Sequence, residues 1–295
     1  MKTLFCLLVI SGAACGGASA PATQGTVSGA LTTVPSSSHV FLLVEENHSY
    51  SSVIGSSSMP YLNSLASKYG LATQYYANTH PSIGNYFMLT AGAIITNNDS
   101  FCSTITNDNV VRHLLTAGKT WKSYAESLPS VGYTGCGSGA YVKRHNPLAY
   151  FSDVANSSQK NNLVPFTQFS KDRTNGALPN FSFIVPNLND DAHDGTLTQA
   201  DNWLKTNIGP LLGSAMFKAG GTGLLIIVFD ESVDSDTAHG GGHVAAVVIG
   251  PKVKPGSKTG TLYQHQNTLK TLMEALGVKT YPGAAGAAAP ITGIF

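Results

Sequence analysis

Charged side chains are scarce in this sequence of 295 residues: they make up 11% of it, against about 25% in typical globular domains. The formal net charge is +1, and no block of basic or acidic residues interrupts the chain. A nucleic-acid-binding surface needs a basic patch, and an anionic membrane surface attracts a polybasic segment. The composition therefore excludes both classes of partner, while 42% apolar residues suffice for a sizeable core.

Apolar runs long enough to cross a membrane are also lacking. The stretch LFCLLVI near the N-terminus is too short to span a bilayer. It follows Lys2 and precedes Ala18-Ser19-Ala20, an arrangement typical of a secretory signal peptide with an A-x-A cleavage site. We expect a signal peptide over residues 1–20 and export, without stable insertion into a membrane. The alternative is a lipid anchor at Cys15, where GAAC partly resembles a lipoprotein box.

Cysteine is rare, and two of the four cysteines, Cys6 and Cys15, fall in the expected signal peptide. Cys102 and Cys136 remain, and their spacing is not that of a C-x-x-C metal motif. A pair of cysteines in an exported protein usually forms a disulfide. We therefore expect a disulfide between these two residues, with a two-cysteine metal site as the weaker reading.

Buried strands alternate with helices along most of the chain. Apolar runs such as HVFLLVEEN, FSFIVPN, GLLIIVFDE and HVAAVVIGP predict strands, and segments such as MPYLNSLASKYG and HQNTLKTLMEALG predict helices. This alternation predicts an α/β fold with a mostly parallel central sheet and helices on both faces. We expect a disordered lead-in over residues 21–37 and one domain over residues 38–295. Residues 129–160 lack periodicity and are expected to form a long surface excursion.

Polar side chains follow four of the predicted strands, at the point where each strand ends. The four sets are Glu45, Glu46 and Asn47; Thr79, His80 and Ser82; Asn187, Asn189, Asp190, Asp191, His193 and Asp194; and Asp230 and Glu231. In open α/β sheets, ligands bind outside the carboxyl ends of the strands. Carboxylates gathered there need a counter-charge, which a divalent cation supplies. Mixed acid and histidine sets suit zinc, manganese or iron, and all-oxygen sets suit calcium or magnesium.

Six stretches of the sequence occur in an order that resembles a known family. They are LLVEENHSYSSVIG, HPSIGNYFMLTAG, VPNLNDDAHDG, IVFDES, GGGHVAAVVIGPKVKPG and YQHQNTLKTLMEALG. Over about residues 38–280, the chain resembles the phosphoesterase family of bacterial and fungal acid phosphatases and phosphatidylcholine-type phospholipases C. This family is a branch of the alkaline phosphatase superfamily. The resemblance implies an alkaline-phosphatase-like fold and metal-dependent hydrolysis of a phosphate ester.

The resemblance also implies a role for individual residues. Ser82 matches the nucleophile, and the implied metal ligands are Glu46, Asn47, Asp230, Glu231 and His243. Asp190 and His193 fall where related two-metal enzymes hold a second ion, although their spacing is one residue shorter than the usual Asp-x-x-x-His. Gly84 replaces the usual proline, which we interpret as a change in turn stiffness.

The histidines leave several assignments open. His193, His243 and His265 are candidates for protonating the leaving group, and His239 competes with His243 as a metal ligand. His80 is expected near the site without an assigned role. The remaining histidines are interpreted as structural: His39, His48, His113 and His145.

The sequence thus predicts a secreted phosphomonoesterase that acts on a small phosphorylated substrate through a phosphoserine. A metal ion would activate the serine hydroxyl, and a helix beginning at Ser82 would favour a phosphate at its N-terminus. Phospholipase C or another phosphodiesterase is the nearest alternative. A metal-free serine hydrolase is a further one, although no G-x-S-x-G motif is present, as is an inactive secreted binding protein. The oligomeric state is not indicated.

Overall fold

A computed structural model of the protein describes Met1 and residues 33–295. Cys15, the expected signal peptide after Met1 and the lead-in up to residue 32 lie outside the described residues. The last part of the expected lead-in is in contact with the body, since the Ser37 backbone N–H donates to the Ala275 carbonyl at 2.7 Å.

An eight-stranded sheet lies at the centre of the described chain. The strands of the described chain are β1 His39–Glu45, β2 Gly70–Ala72, β3 Trp121–Ala125, β4 Gly137–Ser138, β5 Tyr141–Val142, β6 Leu163–Pro165, β7 Phe181–Val185, β8 Gly223–Phe229, β9 Ala246–Ile249 and β10 Ser257–Thr259. The short strands β4 and β5 form a separate hairpin, and the others form the central sheet. The order in the sheet is β10-β2-β9-β8-β1-β7-β3-β6. Within it, β9 runs antiparallel to β2 and β8, and the other neighbours are parallel. The predicted α/β fold with a mostly parallel sheet is confirmed.

Helices flank this sheet. They are α1 Tyr50–Val53, α2 Pro60–Lys68, α3 Ser82–Ala91, α4 Val110–Thr116, α5 Ser152–Ala155, α6 Thr167–Thr174, α7 Leu197–Asn207, α8 Gly209–Leu212 and α9 His265–Ala275. Local signals set several ends: Pro60 occupies the first turn of α2, Asn109 caps α4, and α3 ends at Gly92 with φ 64°. Among the described residues, no helix combines the length and apolar character that crossing a bilayer requires.

The region from residue 129 to 160 differs from the predicted surface excursion. Tyr141, His145, Tyr150 and Phe151 in this region are buried, so part of it packs into the core. The strands found here are only two residues long, and such short elements leave no periodic signal in a sequence.

A disulfide joins Cys102 to Cys136, with their Cα atoms 5.5 Å apart, so the expected pairing is confirmed. It ties this region to the loop that follows α3. Lys143 strengthens the connection, because its Nζ donates to the Cys102 carbonyl at 3.0 Å and lies 4.3 Å from the Tyr150 ring centroid. The segment just after Lys143 is thereby fixed over the carboxyl end of the sheet.

Candidate active site

Ser82 is the first residue of α3 and is 1% exposed. Its hydroxyl contacts Glu46 Oε2 and Glu231 Oε1, each at 3.0 Å. Glu46 follows β1 and Glu231 lies just beyond β8, and these two strands are parallel neighbours. One hydroxyl proton cannot serve both carboxylates at the same time, so the arrangement needs a further proton or a cation. The structure thus brings together a buried alcohol and two acids from distant parts of the chain.

The loop before Ser82 is fixed by side-chain to backbone hydrogen bonds. Asn85 Oδ1 accepts from the backbone N–H groups of Asn78 and Thr79 at 2.9 and 3.2 Å, and Asn85 Nδ2 donates to the Thr79 carbonyl at 2.8 Å. Gly84 lies inside α3, where a Cβ would come within 2.3 Å of Asn97 Oδ1. Thr79 Cγ2, in the loop before Ser82, would lie 2.6 Å from the same Cβ, so Gly84 allows the loops before and after α3 to pack closely on the helix.

Three carboxyl groups surround this serine with little to balance their charge. Glu46, Asp230 and Glu231 are all buried, and Asp230 Oδ2 has no hydrogen-bond partner among the described residues. Burial, reinforced by the negative charge of Asp230, raises the pKa of Glu231 to about 9. Burial likewise raises the pKa of Glu46 and of Asp230. A bound divalent cation would offset these shifts, because its charge stabilises the ionised carboxylates.

Asn47 holds Asp230 at this position. Its backbone N–H donates to Asp230 Oδ1 at 3.1 Å. Asn47 adopts φ 60°, a left-handed conformation that asparagine tolerates better than most residues. The chain therefore turns sharply after β1. Glu46 faces Ser82, and Asn47 supports Asp230.

His145 lies in this site, although the sequence analysis interpreted it as structural. Its Nε2 is 3.3 Å from Glu46 Oε1, and its Nδ1 is 3.1 Å from Asp191 Oδ2. The ring stacks on Tyr86 at 5.0 Å, and the Tyr86 hydroxyl donates to Glu46 Oε1. Burial lowers the pKa of His145 to about 3 and raises that of Asp191 to about 7, so both groups are driven towards their neutral forms.

His193 completes a cluster with Glu46 and His145. The ligand atoms of these three residues lie within 4.8 Å of one another, which makes them a candidate metal-binding cluster. His193 Nδ1 is 2.7 Å from Asp194 Oδ1, and its Nε2 is 3.3 Å from Arg144 Nη2. Because the guanidinium can only donate and the carboxylate favours Nδ1–H, the Nε2 lone pair accepts from Arg144.

Asp190 does not share this position. Its Oδ1 accepts from Gln199 Nε2 on α7 at 2.9 Å. The following residue, Asp191, faces the site instead: it contacts His145 and accepts from the His193 backbone N–H at 2.8 Å. The structure therefore brings Asp191, and not Asp190, next to His145 and His193, and the metal-ligand role expected of Asp190 stays a prediction.

His243 is also engaged elsewhere. Its Nε2 donates to the Thr73 carbonyl at 3.0 Å, and its ring stacks between Tyr50 and Tyr76 at centroid distances of 4.3 and 4.8 Å. His239, the competing ligand, is exposed and lies against Tyr76 at 4.3 Å. Neither ring belongs to the cluster around Glu46, and both pack against aromatic rings; the metal-ligand role expected of His243 stays a prediction.

His265 is fully buried under the site. Its Nε2 is 2.6 Å from the Asp230 carbonyl, an acceptor, so this nitrogen carries the proton. Its Nδ1 then accepts from the Tyr75 hydroxyl at 3.0 Å. Burial lowers the pKa of His265 to about 4. The ring supports the Asp230 backbone from beneath the site, and its expected role as a general acid stays a prediction.

His80 supports the other acid of the pair. Its Nδ1 is 2.7 Å from Glu231 Oε2, and its Nε2 donates to the Asp236 carbonyl at 3.0 Å. The sequence indicated that His80 lies near the site. Its contact with the Asp236 carbonyl could not be inferred, because Asp236 lies in a loop more than one hundred residues later.

Known structures share this fold. The lipoteichoic acid synthase LtaP from Listeria monocytogenes superposes with a TM-score of 0.61 at 10% identity, over 84% of this chain and 74% of that one. A protein in the alkaline phosphatase superfamily from Vibrio parahaemolyticus gives a TM-score of 0.58 at 14% identity, over 87% and 71%. At this level of identity the likeness shows the fold alone, which this chain shares with both proteins.

Sequence similarity gives a narrower assignment. Residues 56–279 match the Phosphoesterase family. The chain is 36% identical over 269 residues to a phosphatidylinositol-3-phosphatase of Mycobacterium tuberculosis, covering 90% of this chain and 85% of that protein. It is 32% identical over 245 residues to a probable acid phosphatase of Kluyveromyces lactis, covering 79% of this chain and 56% of the relative. The chain belongs to the Phosphoesterase family and is a phosphoric ester hydrolase.

Proposed function

We propose that this protein is a secreted, metal-dependent phosphomonoesterase of the acid phosphatase type, with Ser82 as its nucleophile. The observation that carries the proposal is the position of the Ser82 hydroxyl, 3.0 Å from both Glu46 and Glu231. A serine hydroxyl is a weak nucleophile until a base or a metal activates it. Buried acids on both sides of it supply a base and, with a cation, the means to lower its pKa.

The residues around Ser82 fit a divalent cation. Glu46, Asp230 and Glu231 are buried acids of like charge, and Asp230 Oδ2 lacks a partner among the described residues. His145 and His193 add imidazole nitrogens beside Glu46. We propose these five residues as the candidate ligands. The mixed oxygen and nitrogen set favours zinc or manganese over calcium or magnesium. When bound, the ion would neutralise the acids and polarise the phosphoryl group.

The side chains then divide the chemistry between them. Ser82 Oγ attacks phosphorus, its proton passes to the Glu46 or Glu231 carboxylate, and the bond from phosphorus to the leaving oxygen breaks. The leaving oxygen then takes this proton from the carboxylate, while His193, which contacts Asp194 at 2.7 Å, is kept as a candidate ligand. Water then attacks the phosphoserine and releases inorganic phosphate, and the hydroxyl of Ser82 regains a proton.

The comparison with the mycobacterial relative favours a second, narrower candidate for the substrate. That relative is named a phosphatidylinositol-3-phosphatase, and this chain covers 85% of its length. The acid phosphatase relative is covered over 56% of its length. A phosphomonoester on an inositol headgroup is therefore the lipid substrate to compare with small soluble monoesters.

The disulfide between Cys102 and Cys136 supports export, because such bonds persist in oxidising compartments. We propose secretion after removal of a signal peptide over residues 1–20. Sequencing the N-terminus of the protein from the culture medium should give a chain beginning at Pro21. An intact Met1, or a lipid on Cys15, would contradict this part of the proposal.

Hydrolysis of a substrate panel tests the proposed activity. Wild type, Ser82→Ala and the exposed control Ser170→Ala on α6 should be assayed with aryl phosphomonoesters, an inositol phosphomonoester lipid, phosphodiesters and phosphatidylcholine. We expect turnover of monoesters by wild type and the control, its loss in Ser82→Ala, and its loss after chelation. Turnover that survives chelation would support a metal-free serine hydrolase, and faster turnover of diesters would support a phosphodiesterase.

A further inference from the structure

We propose that Arg144 binds a phosphoryl oxygen of the substrate and of the phosphate product, and that Asp99 holds this arginine beside Ser82 until the anion arrives. The inference rests on the proposed phosphatase function. It concerns a residue in the region from 129 to 160, where the sequence offered no signal of a functional site.

The guanidinium of Arg144 is poorly satisfied where it lies. Its Nη2 is 3.3 Å from His193 Nε2, and its Nε is 3.6 Å from Asp99 Oδ2. The Nε atom is buried and has no hydrogen-bond partner among the described residues. Arginine carries five N–H donors, and its planar fork matches the oxygens of a phosphate. Donors held at the edge of the site without good acceptors are available to an incoming anion.

Neighbouring residues place this fork at the catalytic serine. His145, the next residue, contacts Glu46, which in turn contacts Ser82. On the other side, Asp99 Oδ1 accepts from the backbone N–H of Ile83 at 3.1 Å. Asp99 therefore connects the first turn of α3, which begins at Ser82, directly to the arginine.

The positive charge of Arg144 suits an anion-binding role in this acidic site. The acids around Ser82 repel a phosphate dianion. The charge of a bound cation would be offset by these carboxylates, so a further positive group is needed to bind the anion. Lys143 is directed towards Cys102 and Tyr150, so it does not face the site. Arg144 is the fixed positive charge that this region of the chain brings to His193.

A purely structural role predicts something different. If Arg144 only braces His193 against Asp99, then removing either partner should weaken phosphate binding equally. If Arg144 binds the anion, Asp99 competes with phosphate for the guanidinium. Asp99→Asn keeps an Oδ1 acceptor for the Ile83 N–H but removes the competing charge. This variant should bind phosphate as tightly as wild type or more tightly.

Calorimetric titration of inorganic phosphate into the metal-loaded protein tests the inference without turnover. Arg144→Gln should raise the dissociation constant about 10- to 100-fold, the effect typical of losing a charge-assisted hydrogen bond. Arg144→Lys should lose less, because it keeps the charge without the fork. The matched control is Arg112→Gln, which removes an arginine paired with Asp153 on a different part of the surface.

Several results would overturn the inference. They are unchanged phosphate binding in Arg144→Gln, an equal loss in Asp99→Asn, or no phosphate binding by wild type. Thermal unfolding of each variant identifies misfolded protein, and Arg144→Lys carries the test if Arg144→Gln does not fold. Loss of turnover in Ser82→Ala together with unchanged phosphate binding in Arg144→Gln would refute this inference and leave the proposed function intact. Retained turnover in Ser82→Ala together with weaker phosphate binding in Arg144→Gln would refute the proposed nucleophile and leave the anion-binding role of Arg144 standing.

Discussion

Removing the cation should make the stability of this protein fall as pH rises. In the metal-free protein, burial and the charge of Asp230 raise the pKa of Glu231 from 4.5 to about 9. Between these two values the folded chain binds more protons at this site than the unfolded chain does. Stability is therefore fully present below the lower value and is lost progressively up to the higher one. Metal binding should remove this dependence, because the cation stabilises the ionised carboxylates.

The magnitude follows from the size of the shift. One pKa unit corresponds to about 1.36 kcal/mol, so Glu231 alone should lower the free energy of unfolding by about 2–3 kcal/mol between pH 5 and pH 7. Glu46 and Asp230, whose pKa values are also raised by burial, add to the effect with the same sign. Domains are typically stable by about 5–15 kcal/mol, so the change is large enough to measure.

Urea unfolding followed by tryptophan fluorescence measures it at pH 5, 6, 7 and 8, with chelator and with added zinc or manganese. The variant Glu231→Gln isolates the contribution of this one group, since it retains the other titrating residues. Metal-free wild type should lose more stability with rising pH than metal-free Glu231→Gln, by about 2–3 kcal/mol from pH 5 to pH 7. Equal slopes for the two proteins, or a wild type that gains stability relative to the variant, would refute the reasoning.

Three other predictions concern the supports of the site. His265 has a lowered pKa of about 4 against 6.5 when unfolded, so its stabilising contribution is present above pH 6.5 and lost on acidification. In urea unfolding, wild type should lose about 2 kcal/mol more than His265→Gln between pH 7 and pH 4.5, and parallel curves would count against this. Replacing Cys102 and Cys136 with serine should cost about 3–4 kcal/mol of stability and lower kcat/KM; unchanged thermal unfolding would contradict it. Asp191→Asn should weaken metal binding about 10- to 100-fold while Asp190→Asn stays near wild type in a metal titration, and the opposite ranking would restore the original assignment.

The sequence was sufficient for the parts of the site that directly follow long buried strands. Glu46 and Glu231 come just after apolar runs that can only be interior strands, and parallel strands place such residues at one edge of the sheet. Ser82 was identified by resemblance, and the structure places it between these two acids. Here local pattern and global fold agree.

The remaining residues depend on tertiary packing that no local pattern records. Arg144 and His145 reach the site from a region without periodicity, which a disulfide and Lys143 hold against the body. Asp190 and Asp191 differ by one step in a turn, and the direction of each side chain is set by contacts with His145 and Gln199. In each case the deciding partner is distant in sequence or lies in a turn with no regular period.

Trapping the phosphorylated enzyme tests the central claim most directly. Metal-loaded protein should be mixed rapidly with a phosphomonoester, quenched in acid and digested, and the peptides analysed by mass spectrometry. We predict one phosphorylated side chain, Ser82, in the loaded protein and none in the chelated protein. Phosphate on a different residue, or multiple turnovers without phosphate on Ser82, would contradict the account.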